Sequence, residues 1–302
     1  MKKLKSAALL CSLLAFAACT KEKNSPLLPA VKDPLASAPV TETPLSITAR
    51  SVTVTTEAAL KSAVSSAVAG DVITISGTIN LTSTLQLLNS GTSSAKINIS
   101  GGTLNCSGLP SGSWGVKVNG SWWNIQNMVL KSGPSSGIVF QSGGNNFVNN
   151  VTATGFKNTG IQVYNGGFND NITNSNSSEN YDVAAGGEDA DGFACKLSGG
   201  SGNKFDHCTA THNSDDGWDL FGQPSTVKIT SCTATRNGYG TNGDGNGFKL
   251  GSAGQNVPHT VTNCSATNNK AWGYDGNGNT GHITITGSGG SGNGAGLFTR
   301  IF

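Results

Sequence analysis

The chain has 302 residues, of which 42 are Gly and 31 are Asn, and only 12% are charged, against about a quarter in ordinary soluble proteins. Formal net charge is +2, but Lys2, Lys3 and Lys5 fall in an expected leader whose removal leaves 16 basic against 17 acidic residues. So little charge, so evenly balanced, excludes nucleic acid as the partner. Short apolar alternations separated by Thr, Ser, Asn and Gly mark a β-rich chain rather than a helical or disordered one.

Residues 1 to 18 read as a secretion signal. Met1-Lys2-Lys3-Leu4-Lys5 is its positive end, and the apolar run from Ala7 to Ala18 is too short to span a bilayer. Phe16-Ala17-Ala18-Cys19 resembles the bacterial lipobox, which makes Cys19 the expected lipidation site. The expected product is exported, anchored by lipid to the outer membrane on its periplasmic or outer side, or secreted. Residues 19 to 46 carry Pro26, Pro29, Pro34, Pro39 and Pro44 without apolar periodicity, as an extended tether does. One domain is expected over 47–302, as a monomer, with Cys106, Cys195, Cys208, Cys232 and Cys264 in an oxidising compartment. Cys208 and Cys232 fall where a disulfide or a buried thiol column would each fit.

The segment Thr56 to Val64, with a Thr-acid start and apolar residues three and four apart, predicts a helix that caps the open N-terminal end of a repeat array. Beyond it the chain repeats itself. Seven strand starts align, at Gly115, Gly137, Gly160, Gly192, Gly217, Gly247 and Gly273, each followed by an apolar residue, with spacings of 22, 23, 32, 25, 30 and 26. A second phase runs with them: Cys208-Thr209-Ala210-Thr211, Cys232-Thr233-Ala234-Thr235 and Cys264-Ser265-Ala266-Thr267, after an earlier copy at Val151-Thr152-Ala153-Thr154. Asn213, Asn237 and Asn269 come next at one offset, with Asn180 matching through Ser175. Amides at one position of successive repeats form a stacked ladder. These features predict an all-β fold, a right-handed single-stranded parallel β-helix with one coil per repeat. A propeller blade needs about 40 residues, more than these repeats hold.

Within each strand after the Gly, alternation sends the first and third residues inward and the second outward. Phe193, Cys195, Trp218, Leu220, Phe248 and Leu250 are expected in the core; Ala194, Asp219, Lys249 and Asp275 face out. Asp219 and Lys249 then lie one ladder step apart, which alone would be an exposed ion pair worth at most about 1 kcal/mol. Acids crowd the same region: Asp189, Asp191, Asp215, Asp216, Asp219 and Asp244, with Asp191, Asp216 and Asn246 at one position relative to their Gly. Stacked carboxylates about 5 Å apart repel unless a cation sits among them. Oxygen donors in flexible geometry suit Ca²⁺ better than Mg²⁺ or Zn²⁺; a solvated turn of aspartates is the plainer alternative.

The segments DADGFACK (189–196), NSDDGWDLF (213–221) and GDGNGFKLG (243–251), in this order, resemble the signature coils of polysaccharide lyase family nine, the pectate-lyase-like parallel β-helix enzymes. The likeness is most specific over residues 180 to 276 and extends more weakly back to about residue 70. It implies that Asp191, Asp215, Asp216 and Asp219 hold a Ca²⁺, that Lys249 is the Brønsted base, and that the reaction is β-elimination on pectate, an acidic plant polysaccharide. Members of that family usually continue for several coils beyond the base, so an uncapped last coil is expected after Gly273.

Weaker expectations attach to Lys196, as a partner of a substrate carboxylate or a solvated side chain, and to Asp275, as polar surface beside Lys249 or a turn residue. Trp122, Trp123 and Trp272 are unplaced candidates for sugar stacking, and His207, His212, His259 and His282 share no ligand spacing. The competing functions are a lyase acting on rhamnogalacturonan, a glycoside hydrolase using two of the carboxylates, and a non-catalytic surface glycan-binding solenoid.

Overall fold

The computed structural model describes residues 48–302. The residues expected to form a leader and a proline-rich tether, with Cys19, lie outside the described residues. Glu57–Ser65 is the one helix among the described residues; Thr56 caps it, its side chain accepting from the Ala59 N–H at 3.3 Å. Leu60 and Val64 are its buried face, set against the first strands as expected of a cap.

The rest is strand and turn, wound as stacked coils with every pairing parallel. Six of the repeat glycines stand just before strands of one nine-stranded sheet, and Gly273 is the second residue of another. Its strands run in space from Gly296–Thr299 through Trp272–Asp275, Phe248–Lys249, Trp218–Asp219, Phe193–Lys196, Ile161–Tyr164, Ile138–Phe140 and Val116–Val118 to Leu85–Leu87. Gly is required there because the coils touch at that point. A Cβ on Gly217 would stand 2.5 Å from the Gly247 carbonyl oxygen, and one on Gly247 would stand 2.6 Å from that of Gly273. The other strands form a sixteen-stranded sheet that bends round the remaining faces.

Left-handed residues make the bends. One column holds Asn127, Asn150, Asn174, His207, Ser231 and Asn263, all with φ between +48° and +54°. Five residues on, a second column holds Ser132, Gly155, Glu179, His212, Arg236 and Asn268, with φ between +54° and +71°. Between them lie the short Thr-Ala-Thr strands Thr209–Thr211 and Thr233–Thr235, with Ser265–Thr267 beside them in the same register. Asn is frequent in these columns because its short polar side chain tolerates the αL region.

Just past the second column the expected amide ladder is present. Asn180, Asn213, Asn237 and Asn269 each donate Nδ2–H to the Oδ1 of the next, at 2.8, 2.9, 2.9 and 2.9 Å, the last acceptor being Asn293, a rung the sequence reading did not include. Inside, aromatic rings stack coil upon coil, Phe193 on Trp218 at 4.8 Å, Trp218 on Phe248 at 4.8 Å and Phe248 on Tyr274 at 5.0 Å, and the exposed Phe298 covers Tyr274 at 5.2 Å. These distances are the strand spacing of a parallel sheet, so one inward position per coil fills the core. Cys208, Cys232 and Cys264 are free thiols in a column, with Cys208 N–H on Cys232 Sγ at 3.4 Å and Cys232 N–H on Cys264 Sγ at 3.3 Å.

After Gly273 the chain adds a rung to each sheet. Gly296–Thr299 pairs with Trp272–Asp275 and Thr284–Thr286 with Thr260–Thr262.

Candidate active site

Three consecutive coils bring the acids and two lysines together on the outer face of the nine-stranded sheet. Ala194 pairs with Asp219, Asp219 with Lys249 and Lys249 with Asp275, the outward column expected from alternation. Before each strand Asp191, Asp216 and Asn246 form a second column. Asp216 N–H meets Asp191 Oδ1 at 3.4 Å and Asn246 N–H meets Asp216 Oδ1 at 2.6 Å. Asp215 accepts two backbone N–H groups, from Asp189 at 3.0 Å and from Asp244 at 2.7 Å.

Asp191, Asp215 and Asp216 are all buried, and each offers one carboxylate oxygen within 4.8 Å of the others. Asp216 Oδ2 is buried without any hydrogen-bond partner. Burial, then the charge of Asp215, pushes Asp216 well above the usual carboxylate range. Burial and Asp191 push Asp215 up to about 8 against the opposing charge of Lys249, and burial raises Asp191 although Lys196 opposes it. Three buried carboxyls that resist ionisation, one with an orphaned oxygen, form a donor set that fits a hard divalent cation such as Ca²⁺.

The lysines depart from the simple ladder. Alternation led to an exposed Asp219–Lys249 pair; both side chains are in fact nearly inaccessible and each has taken a different partner. Lys249 Nζ bonds Asp244 Oδ2 at 2.7 Å and stands 3.5 Å from the orphaned Asp216 Oδ2. Burial would lower its proton affinity, but the charges of Asp216, Asp219 and Asp244 outweigh burial and raise it.

Asp219 stands outside that trio, with Oδ2 on Lys196 Nζ at 3.0 Å and Oδ1 on the Phe221 N–H at 2.8 Å. Burial alone would raise Asp219; Lys196 and Lys249 hold it below the usual range. Lys196 is no solvated side chain: it is 8% exposed and bridges Asp219 to Asp191 Oδ2 at 2.8 Å. Asp275 is likewise occupied, by Arg300 and by the Asn277 N–H at 2.7 Å. Both residues serve internal ion pairs because a long cationic side chain lies within reach of each buried carboxylate.

Trp123 and Trp218 are wholly buried and offer no sugar platform. Sequence reasoning missed Thr159, whose Oγ1–H meets Asp191 Oδ2 at 2.9 Å, and Phe221, which carries its ring to the surface. The first has no signal beyond standing just before a repeat Gly; the second follows from alternation.

A right-handed parallel β-helix with an acid-and-lysine site on the outside of one sheet defines a class of solenoid proteins. Within that class, the profile of the family described as "Pel9A-like, right handed beta helix region" matches residues 43–300, and the chain belongs to this family. A curated relative, Pectate lyase L of Paenibacillus polymyxa (strain SC2), is 40% identical over 194 residues, covering 57% of this chain and 42% of the relative. Pectate lyase PEL9 of Emericella nidulans is 30% identical over 270 residues, 74% of this chain and 65% of that protein. Among solved structures, the crystal structure of pectate lyase Pel9A superposes with a TM-score of 0.70 at 32% identity, over 74% of this chain and 61% of that one. The chain thus spans 42% of the length of Pectate lyase L.

Proposed function

We propose that the chain is a calcium-dependent pectate lyase, cleaving α-1,4-linked galacturonan by β-elimination. Pectate lyases recur among its relatives, and one observation of its own carries the reading: the ammonium of Lys249 stands 3.5 Å from a buried, unpartnered oxygen of Asp216. That pairs a potential base with a potential cation site on one outward surface.

Asp191, Asp215 and Asp216 would hold the cation, with Asp219 as the fourth carboxylate, now engaged by Lys196. When bound, Ca²⁺ supplies positive charge that neutralises a uronate carboxylate and makes the neighbouring C5–H more acidic. Lys249, in its neutral form, takes that C5 proton. The C–H electron pair becomes the C4=C5 double bond, the C4–O4 bond breaks, and O4 leaves to be protonated by water. Asp216, Asp219 and Asp244 keep the proton on Lys249, so turnover requires their charge to be spent elsewhere and is expected to favour alkaline pH. A glycoside hydrolase is disfavoured, because two carboxyls acting as acid and base would leave Lys249, which stands beside them, without a role.

The test is incubation with polygalacturonate, with calcium or with chelator, following ultraviolet absorbance of the unsaturated product. Absorbance should rise with calcium and stop with chelator; binding without any such rise would make the chain a glycan-binding solenoid.

A further inference from the structure

Phe221 closes the segment that carries Asp215, Asp216 and Asp219, and 44% of it is open to solvent. Trp218 and Leu220 point into the core, so Asp219 and Phe221 point out. Single exposed apolar residues are ordinary. Phe221 differs in being tied to the site twice: its N–H holds Asp219 Oδ1 at 2.8 Å, and its ring centroid lies 5.7 Å from Lys249 Nζ. The hydrogen bonds Leu197 N–H to Phe221 O (2.9 Å) and Leu220 N–H to Lys249 O (3.0 Å) align Phe221 with Lys196 on the coil before and Gly251 on the coil after. Lys196 is drawn down to Asp191 and Asp219, and Gly251 has no side chain to lay over the ring. Nothing larger fits at Gly251, where φ is +123° and a Cβ would meet Asn279 at 2.7 Å.

We propose that Phe221 is a sugar-stacking platform, receiving the apolar C–H face of the uronate unit that adjoins the one presented to Lys249. The inference rests on the lyase reading above. A pyranose cannot lie between Lys249 and the ring, because two van der Waals contacts need about 7 Å and the gap is 5.7 Å. The two side chains therefore serve neighbouring units, Lys249 the reacting carbon and Phe221 the grip on the polymer. In the galacto configuration the C–H bonds at C3, C4 and C5 share one face, and an equatorial O4 would break that patch. An aromatic ring thus reads sugar configuration where carboxylate contacts read only charge.

Steady-state kinetics on polygalacturonate at saturating calcium test this with Phe221→Ala, Phe221→Leu and Phe221→Tyr. Ala and Leu should raise KM about tenfold, the loss of an aromatic face and its buried area, with kcat changed less than about threefold. Tyr, which keeps the face, should match wild type. An unchanged KM in Phe221→Ala overturns the proposal. So does a fall in kcat with a displaced alkaline limb and constant KM, which would make Phe221 a positioning residue for Lys249. Should wild type form no unsaturated product, the lyase reading fails and calorimetric titration with trigalacturonate decides: weaker binding to Phe221→Ala upholds the platform, and equal binding ends it.

Discussion

Asp216 has one oxygen on the Asn246 N–H at 2.6 Å, while the other has no hydrogen bond and stands 3.5 Å from Lys249 Nζ. The next coil carries an amide, Asn246, at the same ladder position, so Asp216→Asn is expected to keep the acceptor and shed only the charge. In chelator this variant should unfold at higher temperature, a gain on the order of 1 kcal/mol, while its calcium affinity by calorimetry falls at least about tenfold. Lower stability in chelator with unchanged calcium affinity would contradict the cation reading. Lys196 is the converse, since Lys196→Met strips Asp191 and Asp219 of a buried partner and should cost about 3–5 kcal/mol in chelator. Calcium should restore part of that loss, and thermal melts with and without calcium measure both terms. Sequence alternation and repeat register located these residues, because they fix which face a side chain leaves from. Asp219 and Lys249 are ladder neighbours as expected, but the side-chain partners were not legible: Lys249 took Asp244 and Lys196 took Asp219, because long flexible side chains choose partners by rotamer and loop course.

At the scale of elements, the Asn180 ladder was legible because its members share one offset, and a second ladder was hidden because one member is an acid. Asn146 Nδ2–H meets Asp170 Oδ1 at 2.9 Å, and Asp170 N–H meets Asn203 Oδ1 at 2.9 Å, the pattern of the Asn180 column. Asp170 Oδ2 stands where an amide would donate, and it is buried without a partner. Burial, opposed by the Asn146 bonds, pushes Asp170 up to about 7. The folded state therefore keeps a proton that the unfolded chain releases near pH 4, and this group's contribution to stability falls as pH rises from about 4 to about 7. Asp170→Asn supplies the missing donor. Relative to wild type it should be more stable at pH 8, by on the order of 4 kcal/mol at most, and the difference should shrink toward pH 4. Chemical denaturation at several pH values measures it, and a variant less stable than wild type at pH 8 would contradict this assignment. The turn columns were only partly legible: Asn127 and Asn263 suit left-handed turns, but His207, Arg236 and Glu179 occupy the same conformation with no propensity to announce it.

Across the whole molecule, the site exists because register is kept from coil to coil. Asp191, Asp216 and Lys249 stand on three successive turns, and no one repeat contains the machinery. A solenoid of this kind draws stability from neighbour-to-neighbour contacts, so a cation held by acids of two coils should also fasten those coils together. Calcium at 100 times its dissociation constant should stabilise the fold by about 2.7 kcal/mol, seen as a rise in Tm that Asp216→Ala abolishes; the same rise in both proteins would move the cation elsewhere. The β-helix itself was readable from the recurring Gly-apolar starts, since each such Gly marks a point where a Cβ would strike the next coil.

The central claim, that Lys249 removes the proton while the aspartates hold the cation, is tested most directly by turnover of Lys249→Ala on polygalacturonate at alkaline pH with saturating calcium. Calcium binding should persist, while formation of unsaturated product falls by about 10² to 10⁴-fold, the usual contribution of positioned proton transfer. Lys249→Arg should not rescue it, because a guanidinium keeps its proton. Retention of as much as about a third of wild-type turnover, well above the loss expected of a missing base, would return Lys249 to the role of ion-pair partner for Asp244.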